Sequence, residues 1–211
     1  MTKYYNKMWN TNSRTNNSYS NRYRTVRQTA ENAARVTYKI SGKTYERVME
    51  QAQSLFHDVK DKDYYNTTAT SNERLAGCAA EAAFGLLLMK AGIKSYQPTN
   101  AAGKTHCDFT GADFGDFKIN GVVYDVKGSM KHANVSAKYK TTRAKYIDAI
   151  IGSHIIIDSI NKTMVVYFYG VMDYKDVVKY DEQYIKACQV IKPHNFKPFP
   201  FEFETDLYIS K

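Results

Sequence analysis

The sequence predicts an α/β fold on the strength of three local patterns. Alternating apolar residues indicate a strand hairpin within residues 114–127, and helical spacing indicates helices over residues 43–60 and 73–92. A chain of 211 residues is long enough to build a stable core without cross-links. We therefore expect a sheet covered by helices.

Residues 1–40 are predicted to form a flexible basic arm. They are rich in Asn, Ser, Thr, Tyr and Arg and show no hydrophobic periodicity. Six basic residues and no acid precede Glu31, and aromatic side chains are interleaved with them, which suits stacking on bases or packing on the core. The predicted organisation is this arm, a helical extension over residues 41–70 and a core over residues 71–211.

The helix over residues 73–92 carries the first candidate functional residue. Thr70 and Glu73 have capping-box spacing at its start, and Gly92 ends it. Its middle is apolar on nearly every side, which predicts a largely buried helix, and Glu81 lies in that middle. A buried carboxylate costs several kcal/mol unless it is paired, hydrogen-bonded or facing a metal. A core Glu satisfied by an Arg or by backbone is the alternative.

The predicted hairpin turns at Asn120-Gly121, two residues that tolerate the positive φ of a type I′ turn. This register places Asp116 directly opposite Asp125, with Lys127 on the same face. Two opposed carboxylates repel each other, so we expect a cation between them, and oxygen ligands suit a divalent ion. The alternative is a solvated surface that happens to carry acids and lysines.

The remaining elements follow from shorter patterns. The sequence predicts a helix over residues 141–151, strands over 155–158 and 164–169 joined by a turn at 159–162, one or two helices over 174–190, and an edge strand over 201–209.

A Glu inside a small-residue helix, a short strand over residues 93–97, an Asp-bearing strand and then an Asp-x-Lys strand together resemble the PD-(D/E)xK nuclease superfamily. The similarity covers about residues 72–170. It implies a restriction-endonuclease-like sandwich with a central mixed β-sheet flanked by helices. It also implies a metal-dependent nuclease that hydrolyses DNA phosphodiester bonds, of the small phage or mobile-element type, and we expect an endonuclease rather than a processive exonuclease.

Carried over by position, the resemblance makes Glu81, Asp116, Asp125 and Lys127 the catalytic residues. Mg²⁺, with Mn²⁺ as the alternative, would be held by Asp116, Asp125 and the backbone carbonyl of Val126, and Glu81 would reach it directly or through a water. Lys127 would orient the attacking water and offset charge on the scissile phosphate.

The sequence departs from the family pattern before the first strand acid. Gly115 stands where the family has Pro, and Asp108 and Asp113 compete with Asp116 for this role. Asp108 would need a longer hairpin, which the Asn-Gly turn argues against, so Asp116 ranks first and Asp108 second.

The charge distribution predicts a polyanionic partner. The formal net charge is +9, and no acid lies between Asp125 and Asp148. Gly128 follows the Asp125-Val126-Lys127 triplet. We expect its missing Cβ to let a nucleic-acid backbone approach, with a strand-end kink as the alternative. The predicted DNA-binding residues are Lys131, Lys138, Lys140, Arg143, Lys145, Arg22 and Arg24.

Two other functions remain open: a branched-DNA (Holliday junction) resolvase, which would act as a homodimer, and a non-catalytic DNA-binding protein on a nuclease fold. The N-terminus lacks the apolar run of a signal peptide, so we expect a cytoplasmic protein with no membrane partner. Three cysteines without paired spacing argue against a disulfide framework.

Overall fold

A computed structural model describes residues 17–60, 71–96, 115–138, 146–177 and 188–203. In chain order its helices and strands are α1 (Asn17–Ala33), β1 (Val36–Ser41), α2 (Gly42–Lys60), α3 (Ser71–Lys90), β2 (Phe117–Ile119), β3 (Val122–Ser129), β4 (Val135–Lys138), β5 (Ala149–Asp158), β6 (Thr163–Asp173), α4 (Tyr174–Val177) and β7 (Cys188–Ile191). A 3₁₀ turn, Pro193–Asn195, follows β7.

Five of the described strands form a mixed sheet in the order β1-β6-β5-β3-β2. Within it β3 and β5 run parallel, and the other neighbouring pairs are antiparallel. β4 and β7 form a separate antiparallel pair. The predicted α/β class with a central mixed sheet is confirmed.

Apolar residues cover both faces of the sheet, because side chains alternate along each strand. On β6, Val166 and Phe168 belong to a core shared with α2 and α3, whereas Tyr167 and Tyr169 belong to a second core shared with α1, β4 and β7. The sheet is thus a middle layer. Helix α3 packs directly against β3 on the first face, and this packing positions the candidate site.

Most of the strongly patterned elements are confirmed. The helices predicted over residues 43–60 and 73–92 are α2 and α3, and Gly92 has the positive φ of 66° expected just after a helix end. The strand pair after the hairpin is β5 and β6, both longer than predicted. At their turn, Asp158 accepts hydrogen bonds from the backbone N–H groups of Ile160 and Asn161.

The structure differs from the predicted flexible arm over residues 17–40, most of which lie in α1 and β1. Helix α1 packs Val26, Ala30 and Ala33 on the second core, three residues at helical spacing. Strand β1 alternates buried and more exposed residues and pairs with β6, so it belongs to the same sheet as the predicted core. Residues 1–16 lie outside the described part of the chain.

Other differences concern short apolar runs. Residues 149–151 begin β5 rather than ending a helix, and residues 188–190 belong to β7 rather than a helix. The strand predicted over residues 93–97 is reduced to a single bridge between Tyr96 and Lys118. Residues 201–203 are not in a strand. Residues 174–177 form α4, as predicted, whereas residues 93–95 and 146–148 lie in no helix or strand. Residues 97, 141–145, 178–187 and 204–209, together with Thr70, lie outside the described part of the chain.

None of the helices that the structure describes is both long enough and apolar enough to cross a membrane.

Candidate active site

The hairpin forms with the predicted register. Asn120 and Gly121 have φ values of 50° and 86°, and Phe117 pairs with Tyr124 and Ile119 with Val122. Both positive φ values are those of a type I′ turn. The local sequence thus sets the alignment of β2 on β3.

The regular pairing ends before the two acids. Gly115 has a φ of 75°, and the backbone N–H of Asp116 donates to the carbonyl oxygen of Tyr124, the residue that Phe117 already faces. Asp116 and Phe117 therefore both face Tyr124 of β3, as two residues face one in a β-bulge. The predicted direct opposition of Asp116 and Asp125 is not part of the ladder, because the chain turns at Gly115.

Gly115 is required at this turn for two reasons. Its φ is one that L side chains rarely adopt, and a Cβ there would lie 2.6 Å from Cγ1 of Val123 and 2.9 Å from the carbonyl oxygen of Tyr124. A glycine before the candidate acid is the signal in the sequence that marks this turn.

The turn places the side chain of Asp116 next to the Asp125-Val126-Lys127 triplet. Its Oδ2 accepts a hydrogen bond of 2.7 Å from the backbone N–H of Val126, between Asp125 and Lys127. The side chain of Asp116 is partly buried and Val126 is buried. The first strand acid is thus tied to the triplet through the backbone.

Asp125 and Lys127 form a close ion pair. Nζ of Lys127 lies 2.6 Å from Oδ1 and 2.5 Å from Oδ2 of Asp125. The Asp125 side chain is 5% exposed and the Lys127 side chain 32% exposed. The lysine thus offsets a carboxylate buried in the sheet and keeps a path to solvent.

The thiol of Cys78 on α3 lies within electrostatic range of Asp116 and Lys127. Burial, followed by the carboxylates of Glu81 and Asp116, raises the pKa of Cys78 to about 12, whereas Lys127 acts to lower it. Glu81 is partly buried, one helical turn after Cys78. Helix α3 and the hairpin, two segments distant in sequence, therefore place Glu81, Asp116 and Lys127 within electrostatic range of one thiol. Cys78 was not predicted, although its spacing from Glu81 puts both on one helix face.

The space beside Gly128 is occupied by protein. A Cβ at Gly128 would lie 2.8 Å from Cβ of Ala80 and 3.3 Å from the carbonyl oxygen of Ala76, both on α3. The space left by the missing Cβ is filled by α3, so a nucleic-acid backbone has no room on that side. Gly128 pairs with Ser153 of β5 one residue before the end of β3, and the strand-end kink stays a prediction.

A buried histidine secures the loop that follows β3. His154 is 2% exposed, its Nδ1 donates to the carbonyl oxygen of His132 at 3.2 Å, and its ring stacks on Tyr167. Burial lowers the pKa of His154, although the neighbouring backbone acceptors act in the opposite direction. His154 is not among the candidate residues predicted from the sequence.

The predicted DNA-binding residues are only partly described. Arg22 and Arg24 are exposed on α1. Lys131 is exposed, and its Nζ lies 3.0 Å from Oε1 of Glu73 at the start of α3. Lys138 lies in β4. Outside the described residues lie Lys140, Arg143, Lys145 and the competing acids Asp108 and Asp113.

The donor chemistry of the site suits a hard cation, because the candidate ligands are carboxylate oxygens and a backbone carbonyl. Among the described residues, however, no group of three or more His, Cys, Asp or Glu side chains is placed to hold a metal ion. Both oxygens of Asp125 are in contact with Lys127. These residues fit Mg²⁺ by chemistry, and its binding would require Lys127 to move off Asp125.

Comparison of this chain with protein-family models, with curated proteins and with solved structures gave no match.

Proposed function

We propose that this protein is a metal-dependent nuclease that hydrolyses phosphodiester bonds in DNA, with endonuclease action. One observation carries the proposal: the side chain of Asp116 is hydrogen-bonded to the backbone of Val126, inside the triplet in which Lys127 forms a close ion pair with the buried Asp125. Two carboxylates beside a lysine supply oxygen ligands for a divalent cation and a positive charge for a phosphate.

The element order supports assignment to the PD-(D/E)xK superfamily and a restriction-endonuclease-like sandwich. A helix bearing Glu81 precedes the hairpin, the hairpin carries Asp116 and the triplet, and β5 then lies parallel to β3. The hydrogen bond from Val126 to Asp116 supports Asp116 as the first strand acid, because it links that acid to the triplet.

The ligands proposed for Mg²⁺, or Mn²⁺ as the alternative, are Asp116, Asp125 and the carbonyl of Val126, with Glu81 beside them. When bound, the ion would polarise a phosphoryl oxygen and lower the pKa of a bound water. Oxygen-only donors favour these ions over zinc.

Lys127 has two partners in this proposal. It neutralises Asp125 while the site is empty, and its partly exposed side chain can exchange that carboxylate for a DNA phosphate. The exchange would release the Asp125 oxygens at the moment when substrate arrives. At the phosphate, Lys127 would offset the negative charge that develops during hydrolysis and orient the attacking water.

DNA as the substrate rests on charge. The chain carries a formal net charge of +9, and the exposed Arg22 and Arg24 extend the positive charge to α1.

The test is to incubate the purified protein with supercoiled, linear and four-way-junction DNA in Mg²⁺, in Mn²⁺ and in EDTA. The proposal expects nicked or linear products from the supercoiled plasmid with either metal and none with EDTA. Cleavage of the junction alone would favour the resolvase. No cleavage of any substrate in either metal would contradict the proposal.

A second candidate is a DNA-binding protein that uses this fold without catalysis. It is favoured by the pairing of both Asp125 oxygens with Lys127 and by the lack of a three-ligand group among the described residues. Calorimetry separates the two, because a nuclease site should take up Mg²⁺ in the presence of non-cleavable DNA and a pure binder should not.

A further inference from the structure

Helix α3 and strand β3 approach each other closely at Gly128. A Cβ on this residue would overlap the methyl group of Ala80, 2.8 Å away, and would press on the carbonyl oxygen of Ala76 at 3.3 Å. Real Cβ contacts at the shorter distance are essentially never seen, and backbone atoms of a helix cannot give way locally. Any side chain at residue 128 must therefore push the helix and the strand apart.

Helix α3 and strand β3 are closest where each carries candidate catalytic residues. Gly128 directly follows Lys127, and Ala80 directly precedes Glu81. On its other side, β3 is secured to β5, because the hydroxyl of Ser153 donates to the carbonyl oxygen of Lys127 at 3.1 Å. Strand β3 is thus held in place by β5. The separation between α3 and β3 is therefore the distance that a substitution at the contact would change.

We propose that Gly128 is a positioning residue that sets the distance of Glu81 from the Asp125–Lys127 pair. This inference rests on the proposed nuclease function for its catalytic consequence. Because Gly128 has no side chain and Ala80 has only a methyl group, the contact between them lets α3 and β3 pack as closely as possible. Gly128 is partly buried, and α3 occupies the side on which a side chain would project.

The decisive variant is Gly128→Ala, which adds one methyl group at the contact. We expect kcat for plasmid cleavage in Mg²⁺ to fall by at least about 10-fold with KM for DNA changed less than about twofold, because misplacement by a fraction of an ångström affects the reacting groups rather than binding. The matched control is Gly77→Ala. A Cβ at Gly77 of α3 meets nothing within 4 Å, so this variant should cleave like the wild type.

A size exchange separates positioning from general damage. Ala80→Gly removes the methyl group that Gly128→Ala would strike, so the double variant should recover most of the missing kcat. Ala80→Gly alone measures the cost of a glycine within the helix. Circular dichroism and the Tm of each variant establish that it is folded.

A second measurement does not depend on activity. Cys78 is shielded by burial and by the carboxylates of Glu81 and Asp116, so a shift of α3 away from β3 should speed its alkylation by iodoacetamide. Peptide mapping by mass spectrometry assigns the modified cysteine. Gly128→Ala should raise the Cys78 rate severalfold, and the double variant should return it towards the wild-type rate.

The outcomes separate the two proposals. Wild-type kcat and wild-type alkylation in Gly128→Ala would overturn the positioning role while leaving the nuclease intact. A folded double variant that stays as slow as Gly128→Ala would overturn it as well. If the wild-type protein cleaves no DNA, the nuclease proposal fails, and the alkylation rates alone decide whether Gly128 sets this distance.

Discussion

Oδ2 of Asp116 accepts a hydrogen bond of 2.7 Å from the backbone N–H of Val126, so a side chain outside the regular hairpin ladder is fixed to the centre of β3. The interaction combines two roles that substitution can separate. The bond needs only an acceptor at this position, whereas metal binding needs a negative charge.

Asp116→Asn should therefore fold and fail to cleave. The amide oxygen still accepts from Val126, so we expect the free energy of unfolding to fall by only about 1 kcal/mol, while cleavage in Mg²⁺ falls at least about 100-fold. Asp116→Ala leaves the N–H without its acceptor and should cost about 2 kcal/mol with the same reduction in cleavage. Urea unfolding and plasmid nicking measure both effects. Wild-type nicking by the Asn variant would exclude Asp116 as a ligand.

The Asp125–Lys127 pair gives the most direct catalytic prediction. Asp125→Ala should abolish metal-dependent cleavage, and Lys127→Ala should lower it by at least about 100-fold, with DNA binding largely retained in both. The same Asp-Val-Lys triplet recurs at residues 58–60, near the end of α2, so Asp58→Ala is the matched control and should cleave normally. Cleavage by Asp125→Ala at the wild-type rate would rule out the assignment.

Gly115 should be far less tolerant than Gly121, although both have positive φ. Ala at residue 121 meets nothing within 4 Å and should cost about 1–2 kcal/mol for its backbone conformation alone. Ala at residue 115 adds the contacts with Val123 and Tyr124, so we expect at least about 1 kcal/mol more. Chemical denaturation of the two variants gives the comparison. Equal costs would show that the turn at Gly115 can relax.

Acid should weaken the fold through His154. Burial lowers its pKa, so below the ordinary histidine pKa of about 6.5 the unfolded chain binds a proton that the folded chain does not. The stabilising contribution is complete above that pH and disappears as the pH falls towards the folded pKa, with a slope of at most about 1.4 kcal/mol per pH unit.

His154→Gln should flatten this part of the stability curve between about pH 6.5 and 5. His132→Gln is the control, because His154 binds the carbonyl of His132 rather than its exposed ring. Urea unfolding at a series of pH values measures the slope. An unchanged slope in His154→Gln would assign the acid sensitivity to other groups.

The exposed arginines of α1 should provide salt-dependent affinity for DNA. Arg22, Arg24 and Arg27 are exposed, so replacing all three with Gln should leave the fold intact. The slope of log K against log salt should decrease by up to about 0.9 for each DNA phosphate that these side chains neutralise in the wild type. Lys162→Gln is the control, because that lysine pairs with Glu46 at a remote turn. Fluorescence anisotropy with duplex DNA gives the slopes, and identical slopes would remove α1 from the interface.

Local chemistry made the hairpin and its triplet predictable. The Asn-Gly turn specifies both conformation and register, and α3 is defined by its apolar middle and its terminal glycine. Strand β1 was missed, although its alternation of Val36, Tyr38 and Ile40 with polar residues is a strand signal. The start of β5 differs from the predicted helix because a strand buried on both faces does not alternate.

The geometry around the acids was not predictable from pattern alone. At Gly115, Val123 and Tyr124 leave no room for a side chain, and at Gly128 the approach of α3 depends on packing between segments distant in sequence. For that reason the ladder stops at the pair of Phe117 and Tyr124 and does not extend to the predicted pair of Asp116 and Asp125. Residue types and element order are enough to predict which residues belong to the candidate site. The distances between these residues depend on how the core packs.

The connection of β1 to β6 has a consequence for how the chain folds during synthesis. Val36 pairs with Phe168, so the first strand of the sheet cannot find its partner until most of the chain has left the ribosome. The closing contacts come later still, when Lys197 pairs with Val171 and Phe199 reaches Phe84 on α3. Such long-range closure makes folding slow. We therefore expect residues 196–203 to pack last and to complete the attachment of α3 to the sheet. A chain that ends before these residues should hold that helix less firmly.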